Sequence, residues 1–218
     1  MSQPLLVAEE LRAADDVARP LTLVVRPGDR VGLLSASSRG LSALLRTLAR
    51  LERPAEGRLF WSGVNVTRTP RALLPRHLLA NVLLLWANPY ALFEDNARVG
   101  AAIGGRGRRG ATSLTPDARL RASGLSPALS EFRVAALSGL ARVRVALAYA
   151  QRRRPSVILV DDVFAHLVPE SWPGLLATLE AIVGETGALI IASRYPEALG
   201  TMTRIINLSA VGRVNAES

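Results

Sequence analysis

Asp161 and Asp162 end the continuously apolar run "VILV" (Val157 to Val160). Two carboxylates at the carboxyl end of a doubly buried strand could hold a divalent cation, provided a phosphate ligand shares it. A second candidate, "LLSASSRGLSALLR", runs from an apolar stretch through a small-residue loop into an amphipathic pattern. Phosphate-binding loops of the G-x-x-x-x-G-K-[ST] kind use backbone N–H groups to cradle phosphate, a lysine to reach the terminal phosphates and a hydroxyl to bind magnesium. On that frame Ser35 stands at the first glycine, Gly40 keeps the second, Leu41 replaces the lysine and Ser42 keeps the hydroxyl. Arg39 is the nearest cation, on the loop rather than behind it. A lost charge-assisted contact, ~1.5–3 kcal/mol, weakens binding by about one to two powers of ten. Taken alone, the stretch also fits an ordinary strand, loop and helix with no ligand.

The elements that must position these residues alternate along the chain. "LTLVV", "RVGLLS", "RLFW", "SVILV", "ALIIAS" and "RIINLS" read as strands. Leu41, Leu44, Leu45 and Leu48 recur at helical spacing, and Leu175 to Val183 is helical. Strands alternating with helices predict an α/β fold with a mainly parallel, helix-covered sheet. Short turns between the first strands predict a small antiparallel annex. From Gly100 to Leu137 the character changes: "GGRGRRG" is a basic loop and "TPDARLRASGLS" a short capped helix, which predicts an inserted helical subdomain.

A third stretch changes the weight of the first two. In "ALSGLARVRVALAYAQRRRPSVILVDD", Leu137, Ser138 and Gly139 precede an arginine-rich helix, then Arg154 and Pro155, the apolar strand and Asp161. This ordered set resembles the signature-to-Walker-B segment of ABC-type ATPases, in which LSGGQ precedes Asp-Glu at the interval seen here between Leu137 and Asp161. "VRPGDRVGLLSASSRGLSALLRTLARLERPAEGRLFWSG" is similar to that family's strand, Walker A loop, helix and following strand. "NPYALF" (Asn88 to Phe93) resembles the segment after the Q-loop glutamine, in a form most like the oligopeptide, dipeptide and nickel importer branch. The resemblance covers nearly the whole chain. It implies the P-loop NTPase-type ABC fold as a single domain over residues 1–218, with a helical subdomain at about 88–140 inserted in the RecA-like core.

The same resemblance marks departures at the catalytic positions. Leu41 stands for the Walker A lysine, Ala87 for the Q-loop glutamine, Asp162 for the catalytic glutamate and Arg194 for the switch histidine. "AHLV" replaces the D-loop, no aromatic residue between Leu11 and Pro20 can stack on adenine, and Leu140 and Ala141 thin the signature. A base one methylene shorter sits about an ångström too far from the attacking water, a misplacement that can cost ~100-fold. The expectation is a degenerate subunit, a pseudo-ATPase, whose own site retains at most Arg39, Gly40, Ser42 and Asp161 and whose own nucleotide binding is in question. Ser138 and Gly139 would instead grip, in trans, ATP and Mg2+ held by an intact partner in a heterodimer. The implied partners are that ATPase subunit and transmembrane permease subunits, at the cytoplasmic face of the membrane. The plain alternatives are an N-cap role for Ser138, a fold-holding salt bridge for Arg194, and structural or surface roles for His77 and His166. An ABC fold used purely as a scaffold also remains open.

Composition narrows the classes. At 49% hydrophobic residues the chain is neither disordered nor fibrous, and 218 residues can bury a sizeable core. With no cysteine there is no disulfide and no thiolate metal site. All basic residues are arginine, so no lysine can act as phosphate ligand or Schiff base. The net charge of +9 invites nucleic acid, but aromatics are 5% and do not interleave with the scattered arginines. Anionic headgroups account for such a charge as well. "MSQPLLVAEE" lacks a basic region before its apolar run and does not read as a signal peptide, and the longest apolar stretch, Leu78 to Phe93, is shorter than the ~20 residues of a span.

Overall fold

The computed structural model describes residues 2–14, 19–86, 92–94, 96–104 and 114–209. Ala87 to Ala91 and residues 105–113, which hold most of "GGRGRRG", lie outside them, as does the side chain of His166.

An antiparallel sheet of order β2-β1-β4-β5 forms from β1 (Leu6–Arg12), β2 (Leu21–Val25), β4 (Glu56–Trp61) and β5 (Val64–Asn65). In β2 the alternation Leu21, Leu23, Val25 buries one face and leaves Thr22 and Val24 outward, the pattern of a half-covered sheet. The annex is therefore as expected. β1 is not legible as a strand in the sequence, because Glu9 and Glu10 interrupt its apolar run. Its register shifts there against β4, and Glu10 takes a positive φ of 46°. Gly57 answers on β4 with φ 83°, where a Cβ would stand 2.3 Å from the Glu10 carbonyl oxygen.

The second sheet has order β6-β7-β8-β3-β9, all parallel, from β3 (Arg30–Leu34), β6 (Val82–Leu85), β7 (Val157–Asp161), β8 (Ala188–Ser193) and β9 (Arg204–Asn207). Continuous burial of β7 and β8 follows from helices on both faces. Val157 and Leu159 point to the face covered by α1 (Ser38–Leu48), where Leu41, Leu44, Leu45 and Leu48 join the annex in the largest core cluster. Ile158 and Val160 point to the opposite face, against α5 (Gly139–Arg153) and α6 (Trp172–Val183). α6 begins three residues before Leu175 because Pro173 sits in its first turn. The short α2 (Arg76–Asn81) leads directly into β6. Trp61, fully buried, ties annex to helix by donating Nε1–H to the Leu48 carbonyl at 3.1 Å.

A third cluster gathers α3 (Val99–Ile103) and α4 (Pro116–Ala122) with Val134 and Leu137 on Val145 and Ala148 of α5. Thr115 caps α4 by accepting from the Ala118 N–H, as the "TPDA" pattern predicts. α5 is thus shared between the sheet and the helical layer, and its first residue carries the LSG stretch into that joint.

Candidate functional site

The parallel sheet brings the first two candidate stretches together. β3 and β7 flank β8, so the loop after β3 and the aspartates ending β7 emerge at the same carboxyl edge. Ser42, on the first turns of α1, donates its hydroxyl to Asp161 Oδ1 at 2.8 Å. Asp161 is only 2% exposed. Burial raises its carboxyl above the ordinary carboxylate range and the neighbouring Asp162 adds to the rise, while the Ser42 hydrogen bond and the Arg46 charge oppose it. No group of three or more metal-ligating side chains exists among the described residues.

Four N–H groups of the loop already have partners within the chain. Ser35 Oγ accepts from the Ser37 N–H at 3.2 Å, and Ser37 Oγ accepts from the Gly40 N–H at 3.1 Å. The Leu41 N–H bonds the Ser37 carbonyl at 3.0 Å, and Ser209 Oγ receives the Ala36 N–H at 3.4 Å. Ser37 is a full N-cap, so α1 starts at Ser38, inside the stretch that a phosphate cradle keeps open. Leu41 is fully buried in the largest core cluster, and Arg39 lies exposed on the first turn. Ser35 has no positive φ, so the strand runs straight into the cap without the turn a glycine permits.

Asp162 is held apart from Asp161 by backbone geometry. Its φ and ψ of 41° and 33° are left-handed, and its N–H bonds the Ala192 carbonyl at 2.9 Å. Its carboxylate, 6% exposed, accepts from Ser193 Oγ at 2.9 Å and from Arg194 Nε at 3.3 Å. Ser193 was not singled out in the sequence; it closes the apolar run of β8, and only the pairing of β8 beside β7 reveals its target.

Ser138 and Gly139 lie elsewhere, exposed at the amino end of α5. Ser138 Oγ accepts from the Ala141 N–H at 3.4 Å, a long cap bond that leaves its O–H free to donate. Nothing lies within 4 Å of a Cβ built on Gly139. His77 is exposed in α2. Leu85, Trp86 and Leu92 line a small apolar cavity with Val143, Leu147 and Phe164.

A family model described as "ABC transporter" matches residues 18–165. The chain belongs to that family. The lipoprotein-releasing system ATP-binding protein LolD 2 of Caulobacter vibrioides is 30% identical over 95% of this chain and 96% of its own length. The thiamine import ATP-binding protein ThiQ of Cereibacter sphaeroides is 31% identical over 87% of this chain and 80% of its own. A putative ABC transporter ATP-binding protein from Pyrococcus furiosus shares the fold with a TM-score of 0.73 at 19% identity, over 93% of this chain and 96% of that one. The ABC ATPase fold, with its parallel and antiparallel sheets, is therefore the fold of this chain. These relatives are named for lipoprotein release and thiamine import, not specifically for the oligopeptide or nickel branch, and most of the "NPYALF" stretch lies outside the described residues. ABC ATPases bind ATP with Mg2+ and work with transmembrane permease components. No helix among the described residues is long and apolar enough to cross a membrane.

Proposed function

We propose that this chain is a catalytically degenerate ATP-binding subunit of an asymmetric ABC transporter. It completes the ATP site of an intact partner through Ser138 and Gly139 and couples that site to a membrane permease. The observation that carries this reading is the contrast between its two nucleotide-facing elements. The residues at its own loop do not fit a triphosphate with its magnesium. The Ala36, Ser37 and Gly40 N–H groups are taken by Ser209, Ser35 and Ser37, and a buried leucine stands where a cation is needed. The carboxylate that would act as base is bound by Arg194 and Ser193. Arg194 accordingly holds Asp162 in place rather than sensing phosphate. The Ser42 and Asp161 pair persists as a hydrogen-bonded remnant, with Arg39 and Gly40 beside it.

The LSG element keeps what a shared site requires. α5 is 15 residues long, its positive dipole end is exposed, and Ser138 retains a free O–H. Residues 88–140 form the helical subdomain in this reading, and the groove between Leu85 and that insert docks the permease. The substrate follows from the permease and its binding protein.

The test uses the complex copurified with its partner ATPase. Ser138→Asp preserves the N-cap and places a carboxylate against the partner's bound γ-phosphate. ATP turnover of the complex is expected to fall at least ~100-fold, with the fold intact by circular dichroism. Unchanged turnover refutes the trans role and favours the scaffold. ATP hydrolysis by the isolated chain at an ordinary enzyme rate refutes the degenerate site.

A further inference from the structure

Arg50 is only 2% exposed, unusual for a residue that cannot give up its charge. It follows the carboxyl end of α1 in a left-handed conformation, φ 56°. Its guanidinium donates to the Glu52 carbonyl at 2.9 Å and to the Thr69 carbonyl at 2.7 Å. It thereby staples together two segments, one following α1 and one following β5. Its Nε is buried without a hydrogen-bond partner.

Those two segments enclose a surface cavity of about 360 Å³ whose lining includes Arg53, Glu56, Gly57, Thr67 and Arg68. Its one acid, Glu56, is engaged by Arg12 at 3.2 Å. Arg53 and Arg68 are exposed, and neither pairs with a carboxylate among the described residues. Arg71 lies alongside, donating to the Ala49 carbonyl at 2.6 Å. Burial first, then the charges of Arg53 and Arg71, hold the Arg50 guanidinium below its ordinary range. Two exposed guanidinium groups on one cavity, whose one lining carboxylate is shared with Arg12, are an arrangement an anion relieves.

We propose that this cavity binds a phosphate-class dianion, gripped by Arg53 and Arg68, which sit on the two segments that the buried Arg50 guanidinium holds together. The site lies past the carboxyl end of α1, at the opposite end of that helix from the Ser35 to Ser42 loop, and does not depend on how that loop is read. Two sources supply the chemistry, a free phosphate compound and a phospholipid headgroup.

Calorimetric titration of the full chain with inorganic phosphate tests the site. The double variant Arg53→Gln with Arg68→Gln changes only exposed side chains and so keeps the fold. Each lost charge-assisted contact is expected to weaken binding by ~10-fold or more. Arg39→Gln, on the other loop, is expected to leave that affinity unchanged. Cosedimentation with phosphatidylcholine vesicles, with and without phosphatidylglycerol, separates the sources. Phosphate binding without vesicle binding assigns a free anion, whereas phosphatidylglycerol-dependent binding lost in the double variant assigns a headgroup. No binding of either, an affinity unchanged in the double variant, or a loss confined to Arg39→Gln overturns the proposal.

Discussion

Reinstating the missing lysine, Leu41→Lys, distinguishes a cradle that lacks one charge from a loop rebuilt as a helix cap. If only the charge were absent, the substitution would restore phosphate binding and leave stability alone. The structure predicts otherwise. Leu41 is fully buried among Leu44, Leu45 and the sheet, in the largest core cluster. Burying a leucine contributes about 1.5–3 kcal/mol, and a lysine stem recovers part of it only by carrying its ammonium out of the core. The Gly40 and Leu41 amides are already bonded to Ser37, so the new ammonium gains no phosphate to pair with. A net loss of about 3 kcal/mol is expected, which lowers the melting temperature of a chain this long by about 6 °C. Leu41→Met, which conserves volume, costs under ~1.5 kcal/mol and serves as the control. Thermal melting gives the stability arm, and calorimetric titration of the isolated chain with ATP and Mg2+ gives the binding arm, expected to show no gain over the wild type. A Leu41→Lys chain that melts as the wild type does and gains ATP binding would refute the helix-cap account of the loop.

Two further substitutions probe the aspartates. Because folding raises the Asp161 carboxyl, chiefly by burial, the native state binds more protons than the unfolded chain. The stability from this group is complete below its unfolded value and is lost as pH rises through its folded one, so its ionised form costs stability at neutral pH. Asp161→Asn, which still accepts from Ser42, is expected to raise the urea midpoint at pH 7, with the gain vanishing as pH falls below the carboxylate range; a gain independent of pH would contradict this. Arg194→Ala leaves Asp162 with Ser193 alone and, since the arginine is 39% exposed, is expected to cost about 1–2 kcal/mol. Adding Asp162→Asn should recover most of that loss in a double-mutant cycle, whereas strictly additive effects would show that the pair is not coupled.

What could be read from residues alone follows how local each signal is. β7, β8 and α1 announce themselves through apolar period and flanking caps, and α4 through "TPDA". β1 hides behind two glutamates, because a bulge with a left-handed Glu10 interrupts the alternation a strand needs. The spacing from Leu137 to Asp161 marks the family, yet which carboxylate stays usable depends on partners far apart in the chain. Ser42 reaches Asp161 across 119 positions, and Ser193 reaches Asp162 across 31. The early start of α1 rests on Ser37 as cap, a role its neighbours Ser35 and Ser38 could equally have taken on sequence. Arg50 is invisible for the same reason, since one arginine among many shows no sign of being buried until Glu52 and Thr69 fold over it.

The strand order of the parallel sheet bears on how the chain comes off the ribosome. β3 lies between β8 and β9, so both its neighbours in the sheet are made near the end of synthesis. At ~5–20 residues per second, β3 waits roughly 10–30 s for β8. β1, β2, β4 and β5 can pair long before that and cover the inner face of α1. The amino-terminal third of the nascent chain therefore leaves the tunnel with one apolar edge sheltered and the edges of β3 bare. It is in that interval that a holding chaperone has most to bind.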